Sequence, residues 1–281
     1  MSQTVAILTP AYKAQSTLTT TVRSVIEQTH ADWQHWIVAD DGFDYGTFLG
    51  EQGLNDPRQV FLTSGGVGRG ASVTRNVALE EIDTPFAAIL DADDRLKPGK
   101  LEQAVEMLDR HGIVTTALDV MSADFRHLRH VGAGPDRVLS PGEHKWVSLS
   151  MDAMVVWDRR RGDGRFDPDM SNMTDLEFLL QLYSTNPQSY HLGAPLHDYI
   201  KRDGSMSNAR DVTAGMIASK REIIARLEAG RYGLSEEDVA GLVGFLNISV
   251  LAEAAYGAAM AAQPGLLFED HIEPMLSAAR G

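Results

Sequence analysis

The sequence predicts an α/β fold, and three observations support that prediction. Strand-like and helix-like segments alternate through the first half of the chain, which is typical of a sheet covered by helices. The short apolar runs are bounded by turn residues, and several end in acidic side chains, as buried parallel strands do. Hydrophobic residues make up 43% of the 281 positions, enough to bury one large core or two modest ones.

The predicted elements of the first half follow one another in short units. Pro10 stops the first strand, TVAILTP, and QSTLTTTVRSVIEQ then places apolar residues on one helical face, with Ser16 as its N-cap. Three further strands are predicted in WIVADDG (36–42), in QVFLT (59–63) and in PFAAILDADD. The glycine-rich SGGVGRGASVTRNVAL runs into a helix before the last of these, and GKLEQAVEMLDRHG is a helix that ends at Gly112. Repeated units of strand, helix and strand predict parallel pairing with right-handed crossovers.

The pattern changes after about residue 113. GIVTTALDVMSAD predicts another strand, KWVSLSMDAMVVWD one or two more, and the chain from about residue 209 is predicted almost wholly helical. Segment 239–262 is long enough to span a bilayer, but Glu253 in its middle would be costly there. We therefore expect no transmembrane segment, and interpret 239–262 as a packing helix or as the interface of a homodimer formed through the C-terminal helices.

Composition and charge exclude some classes of protein. Asp and Glu number 39 against 25 Lys and Arg, a formal net charge of -14, which argues against a nucleic-acid partner. Cysteine is absent, so the chain has no disulfide, thiolate metal site or thiol nucleophile. The N-terminal residues show no charged region followed by an apolar stretch of signal length, and we expect a cytoplasmic enzyme.

The densest cluster of acidic side chains follows the fourth predicted strand, in AAILDADDRL. Because strand side chains alternate, Asp91 and Asp93 can point to the same side, with Ala92 between them. Two such carboxylates offer oxygen ligands to Mg²⁺ or Mn²⁺, bound together with substrate phosphates. The alternative is a solvated turn that simply ends the strand, and Asp94 is expected to serve such a structural role.

Five motifs in order resemble those of the inverting family 2 glycosyltransferases, which have the GT-A fold. VAILTPAYKAQSTLTTTVRSVIEQTHADWQHWIVADDG is similar to the family's opening, GRGASVTRNVAL to its A-R-N segment and ILDADDRLKPGKL to its D-x-D-D box. GRFDPDMSNMTDLEFLLQL and YIKRDGSMSN resemble the family's G-F-D…E-D and Y-R-x-H-x-x-S-x-S segments. The resemblance implies a Rossmann-like mixed sheet flanked by helices, with a C-terminal helical extension. It divides the chain into a GT-A domain (1–208) and a helical region (209–281), the domain having a nucleotide-binding half (1–112) and an acceptor-side half (113–208).

The resemblance also implies which residues bind a nucleotide-diphosphate sugar. The expected donor contacts are Thr9, Pro10, Ala11 and Tyr12 at the first strand end, Asp40 on the base, Arg75 near base and ribose, and Asp91 with Ala92 near the ribose or donor sugar. Asp93 is the expected ligand of Mg²⁺ or Mn²⁺, which would bridge the two phosphates. Loop packing for Tyr12 and a surface ion pair for Arg75 are the alternatives.

The resemblance assigns the general base to Asp175, in MTDLEFLLQL. The chain has Thr174 where the family usually has Glu, and Glu177 is the next candidate for the base. The alternative for Asp175 is a helix N-terminal acid that complements the helix dipole. Arg202 stands where many relatives carry histidine; an arginine cannot ligate a cation but can clamp a diphosphate, unless it lies in a solvated loop.

Two basic segments have no place in these motifs. The arginines at 159–161 are either a solvated charge run or a contact for a phosphorylated acceptor. His127 and His130 have i, i+3 spacing, but their setting, RHLRH, is basic and unfavourable for a cation.

The expected activity is metal-assisted, inverting transfer of a sugar, most readily from a UDP-sugar, to an acceptor hydroxyl. A sugar-nucleotide nucleotidyltransferase is one alternative, but it would have a glycine-rich phosphate loop where TPAYKAQ follows the first strand. A non-catalytic binding domain is another, but it would lack an Asp-x-Asp pair or a base.

Overall fold

A computed structural model describes residues 3–149, 151–202 and 212–280. The strands are β1 Val5–Ala11, β2 Trp33–Ala39, β3 Gln59–Thr63, β4 Phe86–Ile89, β5 Arg95–Leu96, β6 Ile113–Ser122, β7 His127–Val131, β8 Arg137–Leu139, β9 Val156–Asp158 and β10 Ser189–Lys201. The helices are α1 Leu18–Ile26, α2 Tyr45–Glu51, α3 Ala71–Glu81, α4 Lys100–His111, α5 Pro141–Ser148, α6 Thr174–Tyr183, α7 Val212–Glu228, α8 Glu236–Ala262 and α9 Phe268–Arg280.

The strands form one mixed sheet, in the order β3-β2-β1-β4-β9-β6-β10-β5, with β7 beside β6 and β8 beside β10. Strands β1 to β4 pair in parallel, and β6 is parallel to β10. Strand β9 lies antiparallel between β4 and β6. The predicted mixed α/β sheet with flanking helices is therefore confirmed, whereas the division of the chain at residue 208 stays a prediction.

Strand β1 lies at the centre of the fold because both of its faces are covered. Val5 and Ile7 pack in one cluster with Val25 of α1 and Leu101 of α4. Leu8 faces the other side, where its cluster includes α3. Burial on two faces explains why the strand is a continuous apolar run with no polar alternation.

One local prediction was wrong, and another was only partly right. Helix α1 is preceded by Thr17 at the N-cap, without a side-chain cap bond, and Ser16 is not its cap. Of the one or two strands predicted in KWVSLSMDAMVVWD, the described residues contain one, β9, and the first residues of the segment belong instead to helix α5. A capping box made by Ser140 and Glu143, with a proline in the first turn, starts this helix. The predicted helix end at Gly112 is confirmed, with φ +69° at that residue.

The helical prediction for the C-terminal part is confirmed over residues 212–280. Helix α8 is long and apolar enough, with a mean hydropathy of 1.6, to cross a membrane by length and composition, and 33% of its most apolar window is buried in this fold. Phe245 and Leu246 of α8 belong to the main core. Glu253, in the middle of α8, accepts a hydrogen bond from the buried Lys220 of α7 at 2.6 Å. A homodimer through these helices stays a prediction.

We expect Glu253→Gln to lower the free energy of unfolding by about 3 kcal/mol, because it leaves the buried Lys220 ammonium without its carboxylate. Chemical denaturation measures the loss. The control Glu237→Gln, at an exposed position of the same helix, changes stability by less than about 0.5 kcal/mol. Equal losses in the two variants would contradict the assigned role of the pair.

Candidate functional site

The carboxyl ends of β1, β2 and β4 meet at one edge of the sheet. The amide of Asp40 donates to the carbonyl of Ala11 at 2.8 Å, and the amide of Leu90 donates to that of Leu8 at 3.0 Å. These bonds bring the segments that follow the three strands together: Tyr12, Asp40 and Asp91. Tyr12 is 48% exposed, so its ring is available at this edge.

The Asp40 carboxylate organises the glycine-rich loop between β3 and α3. It accepts hydrogen bonds from Ser64 Oγ at 2.6 Å and from the amides of Arg69 at 3.0 Å and Gly70 at 2.9 Å. Gly70 is the N-cap of α3 and has φ +92°, a conformation that favours glycine. Asp40 thus fixes the start of α3 against the end of β2.

Helix α3 in turn places Arg75 against the acidic segment. Arg75 is buried, and its Nη2 lies 2.5 Å from Asp91 Oδ1. Its guanidinium also lies 5.0 Å from the centre of the Phe166 ring. The surface ion pair considered as the alternative for Arg75 is therefore wrong: the cation is held inside the site, and Asp91 remains about one-third exposed.

The acidic residues do not continue a strand. Strand β4 ends at Ile89, and the amide of Asp94 donates to the carbonyl of Asp91 at 3.1 Å, so residues 91–94 form a turn. Strand alternation is thus not what groups Asp91 with Asp93. Burial and the charges of Asp94 and Asp91 raise the pKa of Asp93 to about 7, and the nearby charge of Arg202 opposes them.

Asp94 has the structural role expected of it, but acts over a long range. It is buried and accepts a hydrogen bond from the amide of Ile200 at 2.9 Å, and its other oxygen lies 3.2 Å from Nε2 of His197. Both partners are in β10. Asp94 therefore ties the acidic turn to the strand that leads into Arg202.

The residues of this turn fit a hard divalent cation. Asp91 and Asp93 supply carboxylate oxygens, the donors that Mg²⁺ and Mn²⁺ prefer. The pKa of Asp93 is raised because like charges crowd a partly buried site, a condition that a bound cation would relieve.

Asp175 lies in the first turn of α6, after Met173, which has φ +57°. Burial and the charge of Asp152 raise the pKa of Asp175 to about 6, while Arg75 and Lys145 act in the opposite direction. A residue that only complemented the helix dipole would have a lowered pKa. The geometric link to the acidic turn runs through Phe166, whose ring stacks on Phe178 of α6 at 4.3 Å and lies 5.0 Å from the guanidinium of Arg75, the partner of Asp91.

A buried network beneath Asp175 was not found from the sequence. Asp152 Oδ2 accepts from Lys145 Nζ at 2.8 Å, and Oδ1 lies 2.8 Å from His144 Nε2. Burial would raise the pKa of Asp152, but Lys145 and His144 lower it to about 2. Both residues come from α5, a helix that the sequence analysis does not predict.

Several sequence candidates lie elsewhere or have other partners. Thr9 is buried, with Oγ1 2.9 Å from His35 Nε2, and Pro10 and Ala11 complete the same strand. Glu177 is buried against Gln181 and Tyr232, which makes it a poor candidate for the base.

The arginines at 159–161 follow β9, whose Asp158 pairs with Phe86 at the start of β4. They therefore lie at the opposite end of the sheet from the acidic turn, bound to Asp163, Asp158 and backbone carbonyls. This position gives no support to a contact with a phosphorylated acceptor near the cleft. Residues 203–208 of the YIKRDGSMSN motif lie outside the described residues.

Comparisons with known proteins agree with this geometry. The sequence model of glycosyl transferase family 2 matches residues 6–151, just over half of the chain. TuaG of Bacillus subtilis (strain 168), whose name assigns it to teichuronic acid biosynthesis, is 27% identical over 206 residues, covering 73% of this chain and 81% of the relative. WfgD of Escherichia coli, named UDP-Glc:alpha-D-GlcNAc-diphosphoundecaprenol beta-1,3-glucosyltransferase, is 34% identical over 109 residues, 39% of this chain and 42% of the relative.

The fold is similar to that of S. aureus TarS. The structure of TarS residues 1–349 with UDP-GlcNAc superposes with a TM-score of 0.67 at 15% identity, over 94% of this chain and 76% of that chain. At this identity the likeness establishes the fold, and the match over residues 6–151 establishes the family. The chain therefore belongs to glycosyl transferase family 2 and is a glycosyltransferase with the GT-A fold.

Proposed function

We propose that this enzyme transfers a sugar from a nucleotide-diphosphate donor to an acceptor hydroxyl, with inversion at the anomeric carbon. The proposed donor is a UDP-sugar, and the proposed general base is Asp175. One observation carries the proposal: Arg75, the ion-pair partner of Asp91, lies over the ring of Phe166, and Phe166 stacks on Phe178 of α6, the helix whose first turn holds Asp175. Relatives support the choice of donor, since WfgD is named as a UDP-Glc transferase and TarS was crystallised with UDP-GlcNAc.

The donor would lie across the carboxyl ends of β1, β2 and β4. Tyr12 offers an exposed ring for the base, and Asp40 holds the glycine-rich loop beside it. Asp91, oriented by Arg75, would accept hydrogen bonds from ribose or sugar hydroxyls. Pro10, Ala11 and Ala92 would contribute backbone and small side chains to the same surface.

The diphosphate needs positive charge at the acidic turn. Asp93 would hold Mg²⁺ or Mn²⁺ there, and the bound cation would supply Lewis-acid stabilisation of the leaving diphosphate. Arg202, whose charge already acts on Asp93, would contact the phosphate oxygens. In this arrangement Asp93 acts on the diphosphate through the cation, and Arg202 acts on it directly.

Asp175 would take the proton from the acceptor hydroxyl as that oxygen attacks the anomeric carbon, opposite the departing diphosphate. A single displacement of this kind inverts the configuration at that carbon and needs one carboxylate on the acceptor side. A pKa of about 6 keeps Asp175 ionised at neutral pH and makes it a stronger base than an exposed aspartate.

The acceptor would approach through a cleft next to Met173, the N-cap residue of α6. Met173 at the start of α6 lines it together with Tyr199 and Lys201 of β10, and residues of the C-terminal helices complete it, among them Met216, Phe245 and Phe268. These walls are largely apolar, which favours an acceptor with an apolar portion next to its reactive hydroxyl. The name of WfgD, which includes a diphosphoundecaprenol acceptor, is consistent with this class.

Asp175→Asn tests the base. The variant keeps the size of the side chain but cannot take a proton, so we expect turnover to fall about 10²- to 10⁴-fold, with donor affinity within a few-fold of wild type. Wild-type activity should fall as the pH drops through about 6, where Asp175 becomes protonated. The exposed Asp169 gives the control Asp169→Asn, which should retain activity. Near-normal turnover in Asp175→Asn would contradict the assignment of Asp175 as the general base.

Asp93→Asn tests the cation site. Calorimetry with UDP and Mn²⁺ should show more than about a tenfold loss of metal-dependent affinity, because the amide is a poor substitute for the anionic ligand. In the wild type this affinity should rise with pH through about 7, since only the ionised carboxylate of Asp93 ligates the cation. Asp83→Asn, an exposed control before the start of β4, should bind as wild type. Equal affinity in both variants would place the cation elsewhere.

Met216→Trp tests the acceptor cleft by filling it from α7. We expect weaker binding of n-octyl β-glucoside, an amphiphilic probe, with unchanged affinity for UDP. Leu251→Trp, on the exposed face of α8, should leave both affinities unchanged, since Leu251 is 63% exposed. If octyl glucoside and glucose bind equally to the wild type, an apolar portion is not what the cleft selects.

A further inference from the structure

The structure brings two histidines and an aspartate together outside the cleft described above. Asp119 of β6 is buried, whereas the side chains of His127 and His130 of β7 are 43% and 55% exposed. Asp119 Oδ1 lies 3.1 Å from His127 Nε2 and within hydrogen-bond distance of His130 Nδ1. His127 Nε2 and His130 Nδ1 lie 3.3 Å apart.

A bulge in β7 is what puts the two histidines on one side of the sheet. In a regular strand, residues three apart point to opposite faces. Here Val120 pairs with Arg129 but Met121 pairs with His127, so one residue of β7 is extra. The sequence interpretation discounted these histidines for their basic neighbours. In the structure, Arg129 forms ion pairs with Asp270 and Glu273, and Asp119 of β6 supplies a carboxylate to the two histidines.

Hydrogen bonds alone account poorly for this arrangement. Each imidazole nitrogen either donates one hydrogen or accepts with one lone pair, yet each faces both the carboxylate oxygen and the other nitrogen. If both nitrogens donate to Asp119, the contact between them is repulsive. A single cation among the three atoms would satisfy all three lone pairs at once.

Two of the three separations already suit a cation, and the short contact between Asp119 Oδ1 and His130 Nδ1 would have to lengthen on binding. Ligands about 2.0–2.1 Å from a tetrahedral zinc ion lie about 3.3 Å from one another. The two contacts of His127 Nε2 measure 3.1 and 3.3 Å. Asp119 Oδ2 already accepts from Lys97 Nζ, which would orient a monodentate carboxylate from outside the metal's own ligands.

We propose that Asp119, His127 and His130 form a transition-metal site, distinct from the acidic turn 91–94, that takes Zn²⁺ with one position open to water. Two imidazoles and one carboxylate suit Zn²⁺ better than Mg²⁺, which prefers oxygen ligands alone. The site would join β7 to β6. Because β6 pairs with β10 through Ser122 and Lys201, the ion would stiffen the strand that leads to Arg202.

Zn²⁺ titration of the chelator-treated full chain tests the proposal. We expect one ion per chain by calorimetry and a higher thermal midpoint. His127→Ala and His130→Ala should each lower Zn²⁺ affinity more than about tenfold, because each removes a ligand. Both side chains are largely exposed, so circular dichroism should show both variants folded.

Two controls separate this site from other zinc binding. His30→Ala, which removes a histidine elsewhere, and Asp93→Ala, which alters the acidic turn, should bind Zn²⁺ as the wild type does. The proposal is overturned if the wild type binds no stoichiometric Zn²⁺, if both His127→Ala and His130→Ala bind normally, or if Asp93→Ala abolishes binding. None of these outcomes depends on glycosyl transfer, so the proposed function is tested separately.

Discussion

The crowding of carboxylates after β4 is the constraint around which the site is built. Asp91, Asp93 and Asp94 lie within one turn, where burial and the neighbouring carboxylates raise the pKa of Asp93 and Asp94. A solvated turn would dissipate this cost in water. This fold instead encloses the turn and places basic side chains beside its carboxylates. The buried Arg75 forms an ion pair with Asp91. Such an arrangement is costly for stability and useful for binding a cation and a diphosphate.

Two distant elements, α3 and β10, supply the partners of Asp91 and Asp94, which explains why distant parts of the chain converge here. Arg75 comes from α3, whose start is fixed by Asp40. Asp94 is held by the amide of Ile200 in β10, and this bond also positions the chain that leads into Arg202. Burial raises the pKa of Asp94 well above its usual range, and the charge of Asp91 adds to the effect. Asp94 therefore has a structural role, holding the acidic turn against β10.

The sequence predicted features that depend on local pattern, and missed those that depend on long-range contact. The strands of the first half and the helix end at Gly112 follow from apolar runs and glycine chemistry, so they were predicted closely. The partners of Asp40 could not be predicted, because they come from a loop some 30 residues later that adopts its shape only against the sheet. The grouping of Asp119 with His127 and His130 depends on a bulge, which has no reliable signature in one sequence.

Helix α5, which the sequence does not predict, carries two residues that contact Asp152 beneath the site. A capping box made by Ser140 and Glu143 starts this helix, but an apolar, β-branched stretch follows it and favours a strand in the sequence. Without the helix, the sequence does not bring Lys145 and His144 together. These two residues keep Asp152 ionised in the interior, and ionised Asp152 is what adds to the effect of burial on Asp175. The first turn of α6 alone would favour a weakly basic carboxylate. Burial and the charge of Asp152 raise the pKa of Asp175, and the charges of Arg75 and Lys145 limit that increase. The basicity of Asp175 is therefore set by these buried neighbours rather than by its place at the start of a helix.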